Sequence, residues 1–211
     1  MQRIKALLSD AGSVILKEIS SFIDSELKKL TSLDMNVIIE KRQKYWMLAK
    51  VGKITDREMW LGSKSRKGYK RGVFGELNIP QKHYKPFIQK IRQSQGPNEG
   101  AVNFLNFIKN RNIQAYLLSN SSYELVERPY KLFGLDNYFV RAFFSHKLGA
   151  AKPDKKFFVA AVKRIGLSPS EILFIDDKKG NILAAQDLGF QTVLFKSQKC
   201  FDKIMSALRA K

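Results

Sequence analysis

The stretch Ile4-Lys5-Ala6-Leu7-Leu8-Ser9-Asp10 is a short, nearly unbroken apolar run that ends on a carboxylate and passes at once into Ala11-Gly12-Ser13. A run of that length, too short for a stable helix, reads as a buried strand of a parallel sheet. Ligands of open α/β sheets gather outside the carboxyl ends of the strands, which places Asp10 at a candidate site. The same residue also suits a turn or a helix cap after a strand, so Asp10 alone does not decide between the two.

The pattern of that first strand returns only after Pro97. Ala101–Lys109 reads as an amphipathic helix, and Ala115-Tyr116-Leu117-Leu118-Ser119 as a short strand. A helix through Glu124–Phe133 and a strand near Arg141–Ser145 follow, then a helix from Lys155 to Ile165 and the very apolar strand Ile172-Leu173-Phe174-Ile175 before Asp176-Asp177. Asn181–Leu188 is a helix with Gly189 as its stop. Thr192–Phe195 is a last strand and Phe201–Ala210 a last helix. Alternating strands and helices of this size predict a doubly wound, Rossmann-like α/β fold with a parallel sheet covered on both faces.

Between the first strand and Pro97 the reading is helical. Val14, Ile15, Leu16, Ile19, Phe22, Ile23, Leu27 and Leu30 recur at helical spacing. Val37 to Leu48 suggest a longer helix up to Gly52, and Thr55-Asp56-Arg57-Glu58 has the form of a capping box. Gly62–Gly72 has no period and reads as a loop; Gln81–Gln95 reads as a helix stopped by Gly96-Pro97. Residues 1–13 and 97–211 are therefore expected to form the core. Residues 14–96 would be an α-helical insert, a cap over the carboxyl end of the first strand. Trp46 and Trp60, with apolar neighbours at helical spacing, read as packing inside that cap, with a substrate-stacking role as the alternative.

The 211 residues are 44% hydrophobic and 27% charged, as in a globular chain, and no apolar stretch approaches the roughly 20 residues of a membrane span. With Cys200 the only cysteine, no intramolecular disulfide can form, which accords with a cytoplasmic location, and no secretory signal is evident. The charge is unusual: 38 Lys and Arg against 19 Asp and Glu give +19. Such a surface attracts anions, whether phosphorylated metabolites or nucleic acid, and it also suits simple solubility. Lys41–Gln95 alone holds 15 basic residues against three acidic ones, so the insert is a candidate nucleic-acid surface as well as a solvated one.

Four features fall at or just beyond successive strand ends: Asp10; Ser119-Asn120; Gly149-Ala150-Ala151-Lys152-Pro153-Asp154; and Asp176-Asp177 with Asn181. Two acidic clusters, a hydroxyl and an ammonium on one sheet edge suit a phosphoryl group. A carboxylate can attack phosphorus and divide one hard step into two easier ones. A divalent ion held by acidic oxygens cancels the repulsion, and a lysine and a hydroxyl hold the peripheral oxygens.

The order LLSDAGSVIL, YLLSN, LGAAKPD and ILFIDDKKGN resembles the four motifs of the haloacid dehalogenase superfamily, mostly Mg²⁺-dependent phosphatases, with the helical insert in the place of that family's first-type cap. The resemblance implies Asp10 as nucleophile and metal ligand, Ser119 as the phosphate-binding hydroxyl with Asn120 beside it, and Lys152 as the neutralising lysine. It implies Asp176 and Asp177 as metal acids, Asn181 as their support, and a metal contact through the backbone carbonyl of Gly12. It also implies a central Asp10 strand flanked by the strands that end at Ser119 and Asp176. The chain departs from the pattern at Gly12, where most family phosphatases carry an Asp that serves as general acid/base. The form Asp-x-Gly is similar to that of a subgroup of sugar-phosphate phosphatases. Dehalogenation fits less well, because that branch lacks a metal-binding Asp-Asp pair. The expectation is a phosphatase that uses Mg²⁺ and an aspartyl-phosphate on a small phosphorylated metabolite, a sugar phosphate or nucleotide. The alternative is a weakly active or inactive relative whose basic cap binds nucleic acid or an acidic partner.

Overall fold

The computed structural model describes residues 3–65 and 68–209. Five parallel strands, β1 (Ala6–Ser9), β4 (Gln114–Ser119), β5 (Arg141–Phe144), β6 (Ile172–Asp176) and β7 (Gln191–Leu194), form one sheet in the order β5-β4-β1-β6-β7. Strand β1 is central, with Ser9 opposite Leu117 of β4 and Ile175 of β6. Its side chains alternate between layers. Leu7 packs with α6 (Ala101–Asn110), α7 (Arg128–Leu132) and α11 (Lys199–Arg209); Ala6 and Leu8 pack with α9 (Lys155–Ile165) and α10 (Lys179–Gln186). Both faces of the sheet are thus buried, as the apolar strands require.

Between β1 and β4 the chain builds a separate apolar cluster from α1 (Ser20–Lys28), α2 (Met35–Ala49), α3 (Asp56–Leu61), α4 (Val73–Glu76) and α5 (Tyr84–Ser94). Trp60 at its centre is fully buried and meets Phe87 edge-on at 4.9 Å, and Phe74 meets Phe87 at 5.4 Å. The capping box is present at the start of α3: Thr55 Oγ1 accepts from the Glu58 amide, and the Thr55 amide donates to Glu58.

Two stretches differ from the sequence reading. Val14-Ile15-Leu16 is not helical. The Ile15 and Leu16 amides both donate to the Ala11 carbonyl, and the three side chains plug the core layer beside Ala101 and Phe104. Here apolar density reflects burial rather than a helical face. Within the stretch read as a loop, Gly62–Ser65 (β2) and Gly68–Arg71 (β3) pair as antiparallel strands. The pair lacks apolar alternation and is held by backbone pairing. A Cβ at Gly62 would lie 2.1 Å from the Lys70 carbonyl oxygen, and φ there is +82°. Glycine is required at that close approach. Of the basic run read in this segment, Arg66 and Lys67 lie outside the described residues.

Where the chain leaves and re-enters the sheet region, two strands of connection run side by side. Lys17 donates its amide to the Gly96 carbonyl at 2.9 Å, and Asn98 donates to Ile15 at 2.7 Å. The Asn98 side chain also donates to the Ser13 carbonyl at 2.6 Å. Away from these connections, Ser122 Oγ donates to Asp56 Oδ1 at 2.5 Å, Arg92 forks onto Glu124, and Ser145 Oγ donates to the Lys50 carbonyl at 2.5 Å. The inserted helices are therefore tied to the sheet's carboxyl edge at several separate points.

Candidate active site

Three neighbouring strands deliver the site. The Asp10 amide donates to the Ile175 carbonyl at 2.8 Å, so the β1–β6 pairing continues to the residues that carry the acids. Asp10 and Asp176 then lie side by side, with the Lys152 ammonium between them at 2.7 Å from Oδ1 of Asp10 and 2.7 Å from Oδ2 of Asp176. Lys152 is pinned through its backbone. Its amide donates to Asn120 Oδ1 at 2.7 Å, and its carbonyl accepts from Asn120 Nδ2 at 2.8 Å. Asp176 is held by the Asn181 amide group at 2.9 and 3.0 Å and by the Lys178 backbone N–H at 2.8 Å.

The buried Lys152 ammonium serves Asp10 and Asp176, while Lys178 acts on the third carboxylate, Asp177. Asp10, Asp176 and Asp177 each offer an oxygen within 4.8 Å of the others. Burial raises the Asp10 pKa to about 6, against the pull of Lys152 and with a further push from Asp176 and Asp177. Burial and then Asp176 also raise Asp177. Burial would lower Lys152, but Asp10 and Asp176 outweigh it and the ammonium is held charged. Asp177 Oδ1 is buried without a hydrogen-bond partner. A divalent cation at this cluster would satisfy that oxygen and offset the excess negative charge, so the donor set, all hard oxygens, fits Mg²⁺.

The cluster floors a cavity of ≈ 470 Å³ between the sheet edge and the inserted helices. Asp10, Gly12, Asn120, Lys152, Asp177 and Asn181 line it. Asp176 sits beneath, fully buried. Ser119, also fully buried, ends β4 beside this floor; its hydroxyl rests on the Asn120 carbonyl at 3.4 Å, and its side chain is not part of the cavity wall. Gly12 opens onto the cavity, and a Cβ there would meet nothing within 4 Å.

The inserted helices contribute residues that the sequence reading left aside. Trp46 packs against the apolar cluster that holds Trp60, as expected, and it also lines the cavity, together with Met47 and Lys50 of the same helix end. Its spacing on α2 is that of a core residue; what no spacing reveals is that this face of α2 overhangs the sheet edge. Asn98, which fixes the Ser13 turn, was also missed, since a lone Asn after Pro97 carries no signal. His146 is structural: Nδ1 lies 3.1 Å from Ser121 Oγ and Nε2 3.2 Å from buried Glu127.

Residues 4–189 match the family described as haloacid dehalogenase-like hydrolase. The chain belongs to that family. Among curated relatives it is 30% identical to the sesquiterpene phosphatase astK of Aspergillus oryzae over 47% of this chain and 52% of that protein. It is 27% identical to the enolase-phosphatase E1 of a Sulfurihydrogenibium species, over 83% of this chain and 69% of that one. Against several of these relatives, then, this haloacid dehalogenase-like chain matches only about half of the relative's length. In fold it is similar to the HAD family enzyme bt-2542 of Bacteroides thetaiotaomicron, with TM-score 0.77 and 22% identity over 92% of this chain and 95% of that one. A second structure of that enzyme, with magnesium and inorganic phosphate, aligns with TM-score 0.71 and 24% identity over 92% and 94%.

Proposed function

We propose that this haloacid dehalogenase-like hydrolase is a Mg²⁺-dependent phosphatase of a small phosphorylated metabolite, with Asp10 as nucleophile. The observation that carries the reading is the Lys152 ammonium shared at 2.7 Å by Asp10 and Asp176, with Asp177 beside them, on the floor of a closed-over cavity. Relatives named as phosphatases support the reaction class.

Asp10, Asp176 and Asp177 would hold the ion together with the Gly12 carbonyl. When bound, Mg²⁺ supplies positive charge that offsets the repulsion between carboxylate and phosphate. The free oxygen of Asp10 attacks phosphorus, the ester P–O bond breaks and the alcohol oxygen leaves with its electron pair. Water then attacks the acyl phosphate, releases inorganic phosphate and returns the Asp10 carboxylate. Lys152 keeps Asp10 oriented and matches charge on the phosphoryl oxygens, while Asn120 holds Lys152 and faces the same oxygens. Ser119 serves by fixing the end of β4 that carries Asn120. Residues 14–96 act as the cap that shuts water out during the first step.

The test is phosphate release from a panel of sugar phosphates, nucleotides and aryl phosphates. Turnover that stops with chelation and with Asp10→Asn supports the reading; turnover that persists in Asp10→Asn overturns it.

A further inference from the structure

Above its polar floor the cavity has an apolar stretch of wall formed by Ile19, Ile23, Trp46, Met47, Met59 and Leu125, with polar residues such as Glu18, Ser20 and Gln43 beside it. Sugar hydroxyls set against the apolar stretch would lack partners there, at a cost for each one left unpaired, whereas a planar apolar body would not. The space, ≈ 470 Å³, is that of a pocket for a ligand larger than phosphate alone.

Four charged side chains line the cavity on the insert's side, Lys17, Glu18, Arg42 and Lys50. Two cations project from α2 and its end toward the cavity, Arg42 and Lys50. Arg42 is spent, bound by both oxygens of Asp24 at 2.5 and 2.8 Å. Lys50 is half-buried and, among the described residues, has no carboxylate within ion-pair distance. Its backbone is fixed at both ends: the amide donates to the Trp46 carbonyl at 2.9 Å, and its own carbonyl accepts from buried Ser145 at 2.5 Å. Burial, and then the nearby Lys178, hold its pKa below the ordinary lysine value. An ammonium kept half out of water beside a like charge gains from an anion, and among the described residues Lys50 makes no ion pair.

We propose that Lys50 and Trp46 form a second recognition point, selecting a phosphomonoester whose alcohol is a planar apolar body bearing a second anionic group. The inference rests on the phosphatase reading of the Asp10 site and narrows its substrate class. The planar body lies along Trp46, i and i+4 placing the ring and the ammonium on one face of the helix. The second anion, a carboxylate or another phosphate, pairs with Lys50.

Three matched esters test this: phenyl phosphate, 4-carboxyphenyl phosphate and 1,4-phenylene bisphosphate, with glycerol phosphate for comparison. A charge-assisted hydrogen bond predicts at least a tenfold advantage in kcat/KM, expressed in KM, for one or both of the esters that carry a second anionic group over phenyl phosphate. Which of the two gains more tells carboxylate from phosphate. The advantage falls to near one in Lys50→Met and returns in Lys50→Arg. A wild-type ratio of one or below overturns the proposal, whatever the variants do, as does a ratio unchanged in Lys50→Met. Binding of benzylphosphonate and 4-carboxybenzylphosphonate by calorimetry separates the two levels of the argument. If no ester turns over but the carboxylated phosphonate binds at least tenfold tighter through Lys50, the phosphatase reading falls and the second recognition point stands. Equal binding of the two phosphonates removes the second recognition point.

Discussion

The Lys152 ammonium lies 2.7 Å from Oδ1 of Asp10 and is 2% exposed, so the two side chains share a site that solvent barely reaches. Removing one partner of a buried pair leaves the other charge uncompensated, which costs about 3–5 kcal/mol. Here two carboxylates, Asp10 and Asp176, would be left behind. Lys152→Met is expected to lower metal-free stability by that order in denaturant unfolding, and to abolish phosphate release. Mg²⁺ should restore part of the lost stability without restoring turnover. A variant as stable as the wild type in chelator would show that Lys152 does not balance these acids.

Asp10 gives a pH dependence with a definite sign. Its carboxyl ionises near 3.8 when unfolded and at about 6 in the metal-free fold, so the fold favours the protonated form. Its contribution to metal-free stability is complete below the lower value and is lost as pH rises through the upper one. Other carboxylates titrate in the same window, and the comparison with Asp10→Asn cancels them. In chelator, the wild type should lose melting temperature relative to Asp10→Asn between about pH 4 and pH 6. Because the ion binds the carboxylate, Mg²⁺ should stabilise the wild type more at pH 7 than at pH 4.5. A difference between wild type and variant that stays flat across this range would contradict a burial cost on Asp10 that Lys152 only partly offsets.

The sheet was legible because each of its strands is a short apolar run between turn signals, and β1, β4 and β6 each end on the residue that matters. The order of the four motifs along the chain also placed Asp10, Lys152 and the Asp176-Asp177 pair together before any coordinates. What the sequence hid was set by tertiary packing. Val14–Leu16 carry helical spacing, yet they plug the core because the chain must turn out of β1 at once. Gly62–Ser65 and Gly68–Arg71 pair through backbone groups, which leave no apolar period to read. Trp46 differs from Trp60 only in which side of its helix faces the sheet edge, and no local pattern reports that.

The contact between insert and core can be loosened at one atom. Gly52 has φ +72°, and a Cβ there would lie 2.2 Å from the His146 carbonyl oxygen. Gly52→Ala therefore forces the end of α2 away from α8 (Ser145–Leu148), carrying Lys50 and Trp46 with it. Gly166→Ala is the control, since it has φ +76° and nothing within 4 Å of the added carbon. Each substitution should cost about 1 kcal/mol or more in backbone strain. Only Gly52→Ala should also lower kcat/KM, by about tenfold. Equal activity in the two variants would mean that the closeness of α2 to the sheet edge does not matter to turnover.

Gly12 lies two residues beyond the proposed nucleophile, where a side chain could reach the leaving oxygen. A Cβ there meets nothing within 4 Å, so an aspartate has room. With no acid at this position, the leaving oxygen departs unprotonated by the chain, and the rate should depend steeply on its basicity. A positioned general acid is worth roughly 10²–10⁴ in rate. Gly12→Asp is therefore expected to raise kcat on alkyl phosphates by a factor approaching that range, and on aryl phosphates with acidic phenols by much less. The neighbouring carboxylates of Asp10 and Asp177 help, because like charges favour the protonated, donating form of the new acid. The measurement is the slope of log kcat against leaving-group pKa across a series of esters, in wild type and variant. A steep slope that flattens in Gly12→Asp identifies the missing proton as the deficit. A wild-type slope already shallow would mean that another group delivers the proton, and would remove Gly12 as the limit on catalysis.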